Sequence, residues 1–173
     1  EGFPEHYANF CNQALVPGLV FPAQAAIYCA LSKPKARRAA LTARIGIINV
    51  TGYAGVELAR FLYRHPRVKL TSVTGRGAVG QTLGEFFPHL ADLQLTIKPE
   101  LDEVDLAFSA LPHAASAEAV VAALGRGLKV VDISADFRLN DAEEYRRWYG
   151  VTHPAPGLLA EAAYGLVELN RPR

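Results

Sequence analysis

The sequence predicts an α/β fold built on a doubly wound parallel sheet, and three observations predict it. From residue 44 onward, apolar β-rich runs alternate with helical patterns, at the spacing that right-handed parallel crossovers require. Half of the 173 residues are hydrophobic, enough for one domain with a real core. The unusual stretches fall where strands end, which is where ligands sit in such a sheet.

The elements follow in order. "RIGIINV" (44 to 50) reads as the first strand and "AGVELARFLYRH" (54 to 65) as a helix. That helix carries Leu58, Phe61, Leu62 and His65 on one face and is stopped by Pro66. "VKLTSVT" (68 to 74) is the second strand. A glycine-bearing loop leads to a short strand near "LQLTIK" (93 to 98), and "VDLAFSA" (104 to 110) follows. The helix at "SAEAVVAALGRG" is expected to be capped by Ser116 and ended by Gly125 or Gly127. "KVVDIS" (129 to 134) is the last strand. "DAEEYRRWYG" (141 to 150) is a short helix with acids first and arginines last, matching the helix dipole.

Residues 1 to 43 differ from the rest. The apolar run "ALVPGLVFPAQAAIYCAL" contains Pro17 and Pro22, whose missing backbone donors speak against a membrane helix. An extension of no assigned structure is expected here, with the dinucleotide-binding domain covering 44 to 173. Lysine and arginine number 18 against 17 aspartates and glutamates, so the whole-chain field gives no reason to expect nucleic acid or an acidic membrane as partner. Cys11 and Cys29 are too few for a disulfide framework and fit a cytoplasmic protein. No cluster of His, Cys, Asp and Glu has metal-ligand spacing, so no metal is expected.

Four stretches carry candidate chemistry. The first, Asn49 to Gly55, is a G-x-x-G-x-x-G-like loop between strand and helix with asparagine in the place of the first glycine. Thr51, Gly52, Tyr53, Ala54 and Gly55 would hold a pyrophosphate on the helix's first amides. Asparagine is the residue that visits left-handed backbone at modest cost, so the turn can survive. The second, Thr74, Gly75 and Arg76, ends strand two with an arginine and no acid, which favours NADP over NAD. The third is Ser109, Ala110, Leu111, Pro112 and His113, where small residues let a nicotinamide or ribose lie against backbone. The fourth is "DISADFRLND" (132 to 141), in which Asp136 and Arg138 form a structural ion pair or, alternatively, Ser134 and Arg138 meet an anionic substrate.

Together "GIINVTGYAGVELARFL", "HPRVKLTSVTGR", "AFSALPHAASAEAV", "VVDISADFRLND", "YRRWYGVTH" and "AYGLVELNR" resemble the N-acetyl-γ-glutamyl-phosphate reductase family, in colinear order from Arg44 to Arg171. The resemblance implies a Rossmann-like NADP-binding domain of an arginine-biosynthesis enzyme. That enzyme reduces N-acetyl-γ-glutamyl phosphate to the semialdehyde through a cysteine thioester. It also implies a small-molecule substrate and a homo-oligomer at full length.

The family's nucleophilic cysteine lies in an N-P-G-C-Y-P-T-like segment after "YGLxELNR", which the 173 residues do not reach, so no catalytic residue is assigned. A fragment is therefore expected, binding NADPH weakly or not at all, without reductase activity, and prone to associate through an uncovered sheet edge. Alternatives are a non-catalytic NADP-binding module or subunit, and a lysine-pathway or aspartate-semialdehyde relative.

Overall fold

The computed structural model describes residues 42–166. Residues 1 to 41, with Cys11 and Cys29, and the "ELNR" block lie outside the described residues. Through Ala162 the described chain belongs to one compact unit, while Ala163 onward groups with the other. Residues 163 to 166 carry no regular structure.

Among the described residues five parallel strands form one sheet. They are β1 (Ala43–Ile48), β2 (Val68–Thr74), β3 (Ile97–Lys98), β4 (Leu106–Ser109) and β5 (Lys129–Asp132), in the order β3-β2-β1-β4-β5. Helix α1 (Tyr53–Tyr63) joins β1 to β2, and α3 (Ser116–Gly125) joins β4 to β5. The two crossovers step in opposite directions from β1, so right-handed connections put α1 and α3 on opposite faces. The doubly wound expectation holds, and the order reverses between β1 and β4, which marks the place for a ligand.

Apolar alternation explains the strands. Ile45 and Ile47 are fully buried on one face of β1. Gly46 on the other face lets Leu101 approach: a Cβ there would stand 2.9 Å from a Leu101 methyl. At the strand starts, Asp105 accepts from the Arg44 backbone N–H at 2.7 Å and from its guanidinium at 3.0 Å. The Arg44 bonds hold the Asp105 carboxyl below the usual carboxylate range. Between Ile45 and Gly46 the β1–β2 register shifts by one residue, a bulge that leaves Thr71 unpaired.

Three details differ from the sequence reading. Helix α1 buries Gly55, Val56, Leu58, Ala59 and Leu62, whereas Phe61 is at the surface with the Arg60 guanidinium 4.5 Å from its ring centre. The short strand shrinks to Ile97–Lys98, because Leu95 and Ile97 spend backbone bonds on Leu83, Gln81 and Gly80. The glycine-bearing loop contains a one-turn helix α2 (Leu83–Phe86), opened by a capping box in which Thr82 and Glu85 satisfy each other's backbone N–H.

Helix α4 (Ala142–Tyr149) begins at Asp141, whose carboxylate accepts from the Glu144 N–H at 2.7 Å, and ends at Gly150 in the left-handed conformation. On the sheet's outer side, β5 pairs only with β4 among the described residues, and Val131 on it is more than a third exposed. No helix among the described residues is long and apolar enough to cross a membrane.

Candidate functional site

Asn49 stands at φ 66, the left-handed conformation its residue type tolerates. Its side chain does more than replace glycine. Its Nδ2 donates to the Ala110 carbonyl at 3.0 Å, while its backbone N–H donates to the Thr74 hydroxyl at 3.2 Å. The ends of β2, β1 and β4 are thereby tied at one residue. Asn49→Gly is expected to keep the turn but lose the side-chain bond, costing about 1 kcal/mol in a urea titration; an unchanged midpoint would show the bond to be idle.

The next turn opens α1. Gly52 is the N-cap residue and supplies no side-chain cap, so the first amides of the helix have no side-chain acceptor and present their dipole outward. Tyr53 and Ala54 are exposed, Tyr53 almost completely. A Cβ on Gly52 would meet only the Asn49 amide at 3.3 Å and nothing else nearer than 4.0 Å, whereas one on Gly55 would lie 2.7 Å from the Val50 Cα. The two glycines therefore have different jobs. Gly52 leaves open space before the amides, and Gly55 lets the helix lie on its own turn.

Beside this turn a cleft of about 370 Å³ is lined by Asn49, Thr74, Gly75, Arg76, Leu111 and Ala119, among others. Thr74 is buried and its hydroxyl receives the Asn49 N–H. Gly75 packs against the Thr51 methyl, which a Cβ there would meet at 2.7 Å. The Thr51 hydroxyl donates to the Asn49 side-chain oxygen at 3.3 Å. Arg76 is exposed and has no hydrogen-bond or ion-pair partner among the described residues. Among the described residues no acid lines this end of the cleft.

At the end of β4 the wall is only partly what the sequence suggested. Ala110 and Leu111 are placed beside the cleft, through the Asn49 bond and the cleft lining respectively. Ser109 is turned away: it is fully buried, its hydroxyl lies 2.6 Å from that of Ser116, and its carbonyl accepts from the Ile133 N–H. Ser116 donates its single hydroxyl proton to Asp132 at 2.6 Å, so Ser109 must be the donor to Ser116. Ser116 is therefore not the cap expected for α3. Pro112 and His113 are exposed, and the His113 ring lies 5.5 Å from that of Tyr149.

The cap of α3 comes from across the fold. Asp136 is fully buried and accepts from the Ala117 N–H at 2.9 Å, the Ala114 N–H at 2.8 Å and the Tyr145 hydroxyl at 2.8 Å. It forms no ion pair with Arg138, because these three donors take its oxygens. Ala114 sits at φ 65, a strained value for alanine. The Ser134 hydroxyl donates to Asp132 at 2.6 Å and accepts from the Asp136 N–H, so it is committed internally. Arg138 is exposed and spends Nε and one Nη on the carbonyls of Ser134 and Ile133. The other Nη faces no partner among the described residues. Sequence reasoning missed Asp132 and Tyr145 and read Ser116 only as a cap; the one signal for Tyr145 was an aromatic set between two pairs of charged residues at the buried position of α4.

Tyr145 gives the network a pH signature. Burial, then the bond to Asp136 and its charge, push the phenol up to about 12 from 10.0. A raised phenol pKa means that folding favours the neutral form, so this stability is complete below pH 10 and is lost as pH rises toward 12. The loss is about 2 kcal/mol by the upper end of that window. Tyr145→Phe should flatten the stability curve over that window; an equally steep alkaline fall in the variant would remove Tyr145 as its cause. No group of three or more His, Cys, Asp and Glu that could hold a metal occurs among the described residues.

The family model described as "Semialdehyde dehydrogenase, NAD binding domain" matches residues 44–173. An N-acetyl-gamma-glutamyl-phosphate reductase of Dehalococcoides mccartyi is 57% identical over 129 residues, covering 74% of this chain and 38% of that relative. One from Rhodobacter capsulatus is 49% identical over 136 residues, covering 76% of this chain and 40% of the relative. The chain thus spans about two fifths of the length of the curated relatives it matches. Among solved structures, aspartate semialdehyde dehydrogenase with NADP from Candida albicans matches at TM-score 0.51 and 16% identity, covering 65% of this chain and 40% of that one, which supports the fold. With 44–173 matched and the strand order, left-handed Asn49 turn and cleft in place, the chain belongs to the semialdehyde dehydrogenase family, of which it carries the NAD-binding domain.

Proposed function

We propose that this chain is the NADP-binding part of an enzyme that reduces N-acetyl-γ-glutamyl phosphate to the semialdehyde, with release of phosphate, in arginine biosynthesis. The observation that carries the reading is the cleft itself. Among the described residues, the helix amides after Gly52 meet no side-chain acceptor, and Arg76 at the end of β2 has no partner and no acid beside it in the cleft. Bound NADPH supplies the hydride; the residues here bind and orient it. The amides after Gly52 take the pyrophosphate, Arg76 the 2′-phosphate, and Ala110 with Leu111 the nicotinamide end. Of Ser134 and Arg138, only Arg138 keeps a donor for an anionic substrate. The same reading carries a small-molecule substrate, a cytoplasmic location and a homo-oligomer at full length.

Arg76→Ala tests the cofactor assignment. Losing a charge-assisted contact to the 2′-phosphate should weaken NADP+ binding roughly 10- to 100-fold and leave NAD+ binding nearly unchanged, read by titration of the purified chain. Equal losses for both dinucleotides would remove Arg76 from the site.

A further inference from the structure

We propose that Asp136 and Tyr145 are positioning residues for the cofactor wall. Together they hold Ala114 in its left-handed conformation and so set the course of residues 110 to 113. The proposal rests on the reading of the cleft as a dinucleotide site.

Three observations converge on it. Ala114 is one of two non-glycine residues at positive φ among the described residues, and the other is Asn49. Asparagine brings its own tolerance of that conformation; alanine brings none. Something outside the residue must hold it. The Ala114 N–H reaches Asp136 Oδ1 at 2.8 Å, and the same oxygen receives the Tyr145 hydroxyl at 2.8 Å. Asp136 and Tyr145 are both fully buried, so the carboxylate that Ala114 reaches is held away from water even though Ala114 itself is exposed.

The brace is also stiff. Asp136 is anchored by the Ala117 N–H on its second oxygen and by its own N–H on Ser134. Tyr145 is packed by ring contacts with Tyr149 at 4.9 Å and with His153 at 5.0 Å. Tyr149 in turn lies against His113, 5.5 Å away, within the segment being positioned. One end of that segment is fixed by Asn49 on the Ala110 carbonyl. The other end is fixed at Ala114 by the brace, leaving Leu111 to His113 suspended between two pinned points.

The test uses the purified 173-residue chain and follows its amide resonances during NADP+ titration, which reads dissociation constants into the millimolar range. Tyr145→Phe keeps the ring and removes one bond to Asp136. It should shift the Ala114 amide and weaken NADP+ about 3- to 10-fold. Adding Ala114→Gly should recover most of that affinity, since glycine adopts the left-handed conformation unaided. A purely structural role would lower the melting temperature of Tyr145→Phe with NADP+ affinity unchanged, or leave the affinity lost when glycine is added; either result overturns the proposal. If the wild-type chain shows no shift at Asn49, Gly52 or Thr74 with NADP+, the cofactor reading itself fails and the proposal falls with it.

Discussion

Replacing Gly55 with alanine is expected to destabilise the domain by about 3 kcal/mol, although on an isolated helix the same change gains about 1 kcal/mol. The contest is decided by space. Gly55 lies within α1 and has no positive φ to protect, so its backbone would accept a side chain. The obstacle is that a Cβ there would stand 2.7 Å from the Val50 Cα and 3.0 Å from its carbonyl carbon. Those are backbone atoms of the preceding turn and cannot rotate away. The helix must lift from β1, opening the core at Val56 and Leu58. A domain with a total stability of about 5–15 kcal/mol loses a large share. Gly52→Ala is the control: its φ of −81 suits alanine, and the nearest atom is the Asn49 side-chain nitrogen at 3.3 Å, a contact relieved by a slight shift that leaves its bond to Ala110 in place. Its stability should stay within about 0.5 kcal/mol in chemical denaturation, with a bulkier valine at 52 blocking the pyrophosphate instead. A stable Gly55→Ala variant would mean that the turn relaxes far more freely than its contacts allow.

Asp136→Ala is the second large expected loss, roughly 3–4 kcal/mol, since each buried donor left without an acceptor costs about 1–3 kcal/mol and two of its three donors, the Ala117 amide and the Tyr145 hydroxyl, are buried. Three donors are orphaned at once: the amides of Ala114 and Ala117 and the Tyr145 hydroxyl. The first turn of α3 loses its only side-chain acceptor at Ala117, and Ala114 loses the bond that offsets its strain. Hydrogen exchange should show α3 opening before the β1–β2 pair. A midpoint within about 1 kcal/mol of wild type would show that water reaches these donors.

Much of the fold was legible because local chemistry and tertiary context agree. The second strand runs from Val68 to Thr74 as read, since β-branched residues and a flanking proline leave no other local choice. The left-handed turn at Asn49 was readable because few residue types tolerate that backbone. What escaped was set by partners far along the chain. Ser116 looks like a cap by position, yet its hydroxyl serves Asp132, while the capping carboxylate comes from Asp136. Ser109 looks like a ligand wall by smallness, yet the strand's alternation points it into the interior. Asp136 beside Arg138 looks like an ion pair, yet three neutral donors outcompete the arginine for the buried oxygens. At Phe61 a helical wheel places the ring on the apolar face, but the sheet accepts a stripe centred on Leu58, Ala59 and Leu62.

The pinned segment from Ala110 to Ala114 also says where its shape is written. The instructions for its conformation reside at Asn49, Asp136 and Tyr145, separated from it in the sequence and supplied by three other parts of the fold. Grafted alone into another scaffold, the peptide would not carry its geometry with it. Drift at Asp136 or Tyr145 could redraw the loop without altering a letter between Ala110 and Ala114.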